Sequence, residues 1–242
     1  MRKLLVLDVG EKRTGYAIGY HHISVPQETG VITDTERISE LVRECDIVVV
    51  GLPISLGGRF GDAVVRTLEW VSKHLSVYEN VEIYLVDERL TSSQSEKILL
   101  ESGMRRKRRR VVSNAVSAFL LYDVFVRGSP RRWKFKRNFE LNEIQLDTLK
   151  PEWSKILIWN VPIVLKSVPE ERCTYFTDDP QIAWKLRKTG YSVYNLVEDI
   201  REIEPFDVMI VEENQDIFPS IKVEEVYTLH GGSHKDKGSK GS

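Results

Sequence analysis

The sequence predicts an α/β protein, with a mixed sheet carrying helices on both faces and a smaller α/β domain after it. Three observations lead there. Short aliphatic and β-branched runs recur at 3–9, 46–52 and 81–86 (KLLVLDV, DIVVVGL, VEIYLV), as strands buried on both faces do. Between them, apolar residues stand at helical spacing: Ile38, Leu41 and Val42, then Val64, Val65, Leu68, Val71 and Leu75. The first run is followed at once by two more strand-like segments, 15–20 and 28–33, at hairpin distance.

The elements follow in order. The strand at 3–9 ends in a carboxylate, Asp8, and Gly10 to Gly15 is turn-like. A helix over 35–45 takes Thr35 as its cap, and Pro53 stops the central strand at 46–52. GGRFG is a flexible loop, and a helix over 62–75 has Asp62 in its first turn. The strand at 81–86 runs into Asp87, Glu88 and Arg89; Thr91 caps a helix over 92–102 that Gly103 ends, and a further helix covers about 112–126. Three strands, helix, strand, helix, strand, helix, helix is the ribonuclease H-like order, although the pattern also permits other mixed sheets.

The first domain is placed at 1–128. Residues 129–153 (SPRRWKFKRNF and onward) are basic and aromatic without a period, a linker or arm. Residues 154–229 form a small α/β domain, with strands at KILIWNVPIVL (interrupted by Pro162), CTYFT, SVYNLV and FDVMIVEE. Its helix DPQIAWKLRKTG has Asp179 as cap, Pro180 at N1 and Gly190 at its end. The tail 230–242 is Gly-, Ser- and Lys-rich and is expected to be disordered.

Composition narrows the function classes. No apolar run reaches the ~18 residues of a spanning helix, so no membrane association is expected. Cys45 and Cys173 lack CxxC spacing, which excludes a disulfide scaffold or a Cys-based zinc site and makes a cytoplasmic setting the default. A P-loop is absent, and no second phosphate loop accompanies DVGEKRTG as an actin-like kinase would require. The formal charge of −1 hides an asymmetry: 105–137 hold twelve Lys and Arg against Asp123 alone, a net of +11, leaving −12 elsewhere. Arg105, Arg106, Lys107, Arg108, Arg109 and Arg110 are consecutive. Such a field attracts polyanions, and the predicted partner is nucleic acid. Trp133 and Phe135, interleaved with Arg132, Lys134 and Lys136, either stack on unpaired bases or pack between domains.

The chemistry gathers at strand ends. Asp8 closes one strand and Asp87 and Glu88 another; carboxylates collected there repel one another unless a cation such as Mg²⁺ lies between them. Taken singly, Asp8 reads as a turn cap and Glu88 as an ion-pair partner of Arg89 or Arg13.

In combination, LDVGEKRTGYAI, VVGLPISLGGRFGD and VDERLTSSQSEKIL stand in an order and spacing that resemble the YqgF/RuvX family, described as Holliday junction resolvases and pre-16S ribosomal RNA nucleases. The resemblance covers about residues 1–127. It implies a ribonuclease H-like fold, a nuclease dependent on Mg²⁺ or Mn²⁺, and structured RNA such as pre-16S rRNA, or branched DNA, as substrate, with ribosomal particles as further partners. It assigns no oligomeric state. It implies Asp8 and Glu88 as metal ligands and places Arg13, Arg89 and Thr91 near the site; the strand-end position makes Asp87 an additional candidate ligand, and the charge run makes Arg105–Arg110 nucleic-acid contacts beside Arg13, Arg89 and Thr91. The family's last helix opens with Asp-x-x-[Ala/Ser]-Ala; here the stretch is Asn114-Ala115-Val116-Ser117-Ala118. Asn114 therefore stands as a weakened third catalytic ligand, since an amide carbonyl can bind a cation but adds no charge. Asp123 lies on the opposite face of that helix and cannot replace it. Two readings follow: a metal-dependent nuclease, or a nuclease relative of reduced or lost activity that binds RNA or the ribosome.

Overall fold

The computed structural model describes residues 1–101, 106–128, 131–146, 150–166, 168–213 and 221–229; at 90–93, 96 and 106–111 it describes the backbone only. The chain forms two units, one of residues 1–57 and 61–137, the other of 58–60 and the residues from 138 onward.

The first unit is built on a six-stranded mixed sheet. Strands β1 (Lys3–Val9), β2 (Thr14–Tyr20) and β3 (Glu28–Ile32) form an antiparallel meander. Strands β4 (Ile47–Leu52) and β5 (Glu82–Asp87) extend it in parallel from β1, giving the ribonuclease H-like order β3-β2-β1-β4-β5 that the sequence predicts. Leu4 to Leu7 and Val48 to Val50 are fully buried because both faces are covered. Alternation sends Leu4, Val6, Ile47, Val49 and Val86 to one face, where Ala118, Leu121, Tyr122 and Phe125 of α4 (Arg106–Val126) pack on them. The opposite face lies under α1 (Thr35–Arg43) and α2 (Asp62–His74), whose Ile38, Leu41, Val42, Val64, Leu68 and Val71 are buried. Helix α3 (Arg89–Glu101) packs against α4.

Several local expectations are corrected. Asp34, not Thr35, caps α1, its carboxylate accepting from Glu36 N–H at 2.9 Å. Helix α3 starts at Arg89, so Thr91 lies inside its first turn rather than at its cap. Helix α4 starts at Arg106, six residues before the expected onset, so the backbone of 106–110 is helical. Arg105, Gly103, the side chains of Thr91 and 106–110, and the tail with His230 and His234 lie outside the described residues.

The largest difference concerns the expected linker. Arg132–Lys134 form β6, the sixth strand, antiparallel to β5 with Val86 opposite Arg132 and Leu85 opposite Trp133. Phe135 is buried in this unit and its N–H donates to Ile83 O at 2.9 Å, which removes it as a base-stacking residue. The guanidinium of Arg137 donates to the carbonyls of Tyr78, at 2.6 Å, and Val81. The alternating pattern of RWKF, read as aperiodic, is that of an edge strand with one face inward.

The second unit carries a five-stranded parallel sheet in the order β11-β10-β8-β12-β13, formed by β8 (Ile156–Trp159), β10 (Cys173–Phe176), β11 (Ser192–Tyr194), β12 (Phe206–Glu212) and β13 (Val223–Leu229). Strands β7 (Asn142–Ile144) and β9 (Ile163–Leu165) pair separately. Asp179 and Pro180 open α5 (Pro180–Lys188) as predicted, and α6 (Val197–Arg201) follows β11. Strand β13 is not anticipated by the sequence: Glu224 and Glu225 interrupt its apolar run, and none of its residues is fully buried. The GGRFG segment is not a free loop, because its Gly58–Phe60 belong to this unit. Asn195 donates to Gly58 O at 2.7 Å and accepts from Phe60 N–H at 2.9 Å, and Arg59 pairs with Asp199 at 2.5 Å.

Candidate active site

Strand alternation decides which carboxylates meet. Asp8 follows Leu4 and Val6 on the α4 face of β1. Glu88, just past β5, is on the same face: a Cβ on Gly51 of β4 would strike Glu88 Oε2 and come within 3.0 Å of Leu121 Cδ2 of α4. The backbone N–H of Glu88 donates to Leu52 O at 3.2 Å, which fixes the turn out of β5. Asp87 is one residue earlier and faces the other way. Its carboxylate accepts from Arg89 Nε at 3.0 Å and Nη2 at 2.7 Å and lies 3.7 Å from Arg131 Nη1. The candidate ligand Asp87 is therefore an arginine anchor turned away from the Asp8–Glu88 pair.

Burial and proximity perturb that pair. Loss of hydration raises the Asp8 carboxyl to about 6, against which a hydrogen bond from Ser117 acts. Glu88 is pushed up to about 8, first by burial and then by the charges of Asp8 and Asp87. Two carboxyls that resist ionisation side by side form a site that a cation would relieve.

Helix α4 meets this edge through Asn114 and Ser117. A Cβ on Gly15, the residue opposite Asp8 in the β1–β2 register, would overlap the backbone carbonyl of Asn114. A Cβ on Gly10 would fall 2.7 Å from Asn114 Nδ2. The glycines thus let α4 press directly on the strand and turn. Asn114 Nδ2 donates to Arg13 O at 3.1 Å, the same carbonyl that accepts from Gly10 N–H at 3.0 Å, and its Oδ1 accepts from Ser113 Oγ at 3.3 Å. Ser117, one turn further along, is the α4 residue that hydrogen-bonds Asp8. It is buried, and its Oγ stands 3.0 Å from Ser95 Oγ of α3.

Of the predicted site residues, the fold brings Asp8, Glu88 and Asn114 to one edge. Arg13 contributes its backbone carbonyl and leaves its side chain exposed, while Arg89 is engaged by Asp87. Asp123 pairs with Arg127 at 2.7 Å within α4. Sequence reasoning missed Gly51, whose signal is a glycine inside an otherwise β-branched strand, and Ser117, which stands inside the quoted helix motif. Among the described residues no group of three or more His, Cys, Asp or Glu gathers as a metal cage. Two carboxylates on one face are nonetheless what Mg²⁺ commonly takes from protein, the remainder of its shell being water and substrate phosphate; the residues present fit one such ion.

A family described as RuvX, Holliday junction resolvase, matches residues 2–127. A protein of Pelotomaculum thermopropionicum named "Putative pre-16S rRNA nuclease" is 36% identical over 145 residues, covering 54% of this chain and 91% of that protein. One of the same name from Thermotoga maritima is 28% identical over 192 residues, 78% of each chain, so that similarity runs past the family match. Among solved structures, Thermus thermophilus RuvC aligns with 52% of this chain and 97% of its own at 13% identity and a TM-score of 0.31.

Proposed function

Because this chain belongs to the RuvX family of Holliday junction resolvases, a family of nucleases, we propose that it hydrolyses phosphodiester bonds at the Asp8–Glu88 edge with the help of a divalent ion, and that its substrate is the 5′ end of pre-16S rRNA. The observation that carries this reading is the pairing of two half-buried carboxyls on the α4 face, raised to about 6 and about 8. The names of the relatives support the rRNA substrate, and branched DNA is the other arm of the test. A cytoplasmic setting and contact with ribosomal particles accompany this reading.

Asp8 and Glu88 would hold the ion, Mg²⁺ or Mn²⁺, which supplies an activated water and neutralises charge on the scissile phosphate. The protein's own contribution is position. Ser117 orients the Asp8 carboxylate, Gly51 leaves room for Glu88, and Asn114 holds the turn after β1 against α4. The arginines of 105–110 would neutralise substrate phosphates.

Asn114 favours a second reading. Its amide nitrogen is committed to Arg13 O and it adds no negative charge, which fits a relative that binds RNA and cuts it slowly or not at all. The test is a nuclease assay on precursor 16S rRNA and a four-way DNA junction, with Mg²⁺ and Mn²⁺ titrated, for wild type and Asp8→Asn. Cleavage that disappears in Asp8→Asn is expected. Silence from the wild type, with activity appearing in Asn114→Asp, would overturn the nuclease in favour of the binding protein.

A further inference from the structure

Helix α3 starts where the second carboxylate stands. Glu88 is the residue before its first, Arg89, and Ser95 follows two turns later within it. At about 100° per residue the interval from Glu88 to Ser95 returns to within about 20° of the same direction, so both lie on one side of the helix. Burial marks that side: Ser95 and Leu99 are each 3% exposed, whereas Gln94, Lys97 and Glu101 are exposed. Glu88 is on the α4 face of the sheet, and Ser95 meets Ser117 of α4. Ser95 has no role in the reaction just described, yet it ends a chain of oxygens that leads to Asp8.

The direction of that chain follows from counting protons. Ser117 hydrogen-bonds the Asp8 carboxylate and stands 3.0 Å from Ser95 Oγ. An ionised carboxylate only accepts, so the bond to Asp8 takes the one proton that the Ser117 hydroxyl carries. Two hydroxyl oxygens 3.0 Å apart are in hydrogen-bond contact only with a proton between them, and that proton then belongs to Ser95. Ser95 donates to Ser117, and Ser117 donates to Asp8. Both serines are buried, where such a chain polarises each bond in turn.

We propose that Ser95 is a positioning residue for the ion site: its hydroxyl donates to Ser117 and so reserves the Ser117 proton for Asp8. Helix α3 then has one ligand, Glu88, at its head and braces the other, Asp8, through α4. The consequence for ion binding rests on the reading of Asp8 and Glu88 as ligands; the proton order belongs to the metal-free chain.

Two measurements test this. The first is neutron diffraction from metal-free deuterated crystals of the wild type, at a pH above the Asp8 value of about 6. Deuterium on Ser95 Oγ directed at Ser117, with that of Ser117 directed at Asp8, is expected. Deuterium of Ser117 directed at Ser95 overturns the proposal and leaves the nuclease reading intact. The second is Mn²⁺ affinity, followed by electron paramagnetic resonance, in wild type, Ser95→Ala, Ser117→Ala and the double variant. Ser95→Ala is expected to weaken binding roughly 3–10-fold, the worth of one hydrogen bond. The double variant is expected to bind no more weakly than Ser117→Ala, because Ser95 acts through Ser117. Wild-type affinity in Ser95→Ala, or losses that add in the double variant, overturns the positioning role while the ion site stands. A wild type that binds no Mn²⁺ overturns the ion reading, and the positioning role with it.

Discussion

The side-chain amide of Asn114 donates from Nδ2 to the backbone carbonyl of Arg13 at 3.1 Å, so the residue at the head of the helix motif braces the turn that follows Asp8. An aspartate there could not make this bond. In Asn114→Asp a carboxylate faces the carbonyl, and a loss of roughly 1–3 kcal/mol in metal-free stability is expected. With Mg²⁺ or Mn²⁺ the sign reverses. A third negative charge at the edge should tighten ion binding by on the order of tenfold. Urea unfolding with and without the ion, together with Mn²⁺ binding followed by electron paramagnetic resonance, reads both effects; equal affinity in the two proteins would remove Asn114 from the ion's surroundings.

Glu88 makes the metal-free protein sensitive to pH. Its carboxyl is raised from 4.5 to about 8, so between those values the folded chain holds a proton that the unfolded chain has released. The contribution of Glu88 to stability is therefore greatest below about pH 4.5 and falls as pH rises towards 8, by about 1.4 kcal/mol per pH unit for one proton held. Glu88→Gln should flatten this decline and melt higher than wild type at pH 8, while cleavage is lost. A parallel pH dependence of Tm in the two proteins would show that Glu88 ionises freely. Binding of a divalent ion to wild type near pH 7 should release close to one proton, measurable in a weakly buffered solution.

Gly51 is a site residue by virtue of what it lacks. A methyl group there meets the Glu88 carboxylate and Leu121, so Gly51→Ala should displace Glu88 and cost ~1–3 kcal/mol. Gly15→Ala should cost more, since its Cβ would overlap the Asn114 backbone and a whole helix must shift. Denaturant midpoints order the two variants; a Gly51→Ala protein with full activity would place Glu88 elsewhere.

Ser117→Ala removes the hydrogen bond that holds Asp8 down against its burial and leaves Ser95 without this hydroxyl partner. The Asp8 carboxyl should rise above its value of about 6, moving the acid limb of the pH–rate profile towards higher pH. A stability cost of ~1 kcal/mol is expected. An acid limb in the same position, with that cost present, would reduce Ser117 to a packing role.

Strands β1, β4 and β5 of the first unit were legible because each is a dense aliphatic run bounded by Asp, Gly or Pro and buried on both faces, and β2 and β3 because they follow at hairpin distance. The joining of Asp8 to Glu88 was legible only as a combination of motifs. The turning of Asp87 away from them was already implicit in the two-residue period of β5, which sets Val86 and Asp87 on opposite faces. The hidden parts depend on neighbours far along the chain. Ser117 is an ordinary helical serine until Ser95 and Asp8 surround it, and β6 is too short to declare itself without β5 alongside. Glu224 and Glu225 mask β13 in the same way, because its partner β12 supplies the pairing that its own sequence does not announce.

The pairing of β6 with β5 also bears on where this unit can be cut. The family match ends at residue 127, but Glu82 to Val86 would then present a bare row of backbone donors and acceptors flanked by aliphatic side chains. Arg132, Lys134 and Lys136 cover that row with exposed charge, which discourages a second molecule from adding its own strand there. A chain ended at 127 should self-associate through this row, whereas one ended after Arg137, which ties itself to Tyr78 and Val81, should stay dispersed. The ten residues after 127 should then act as this unit's guard against aggregation.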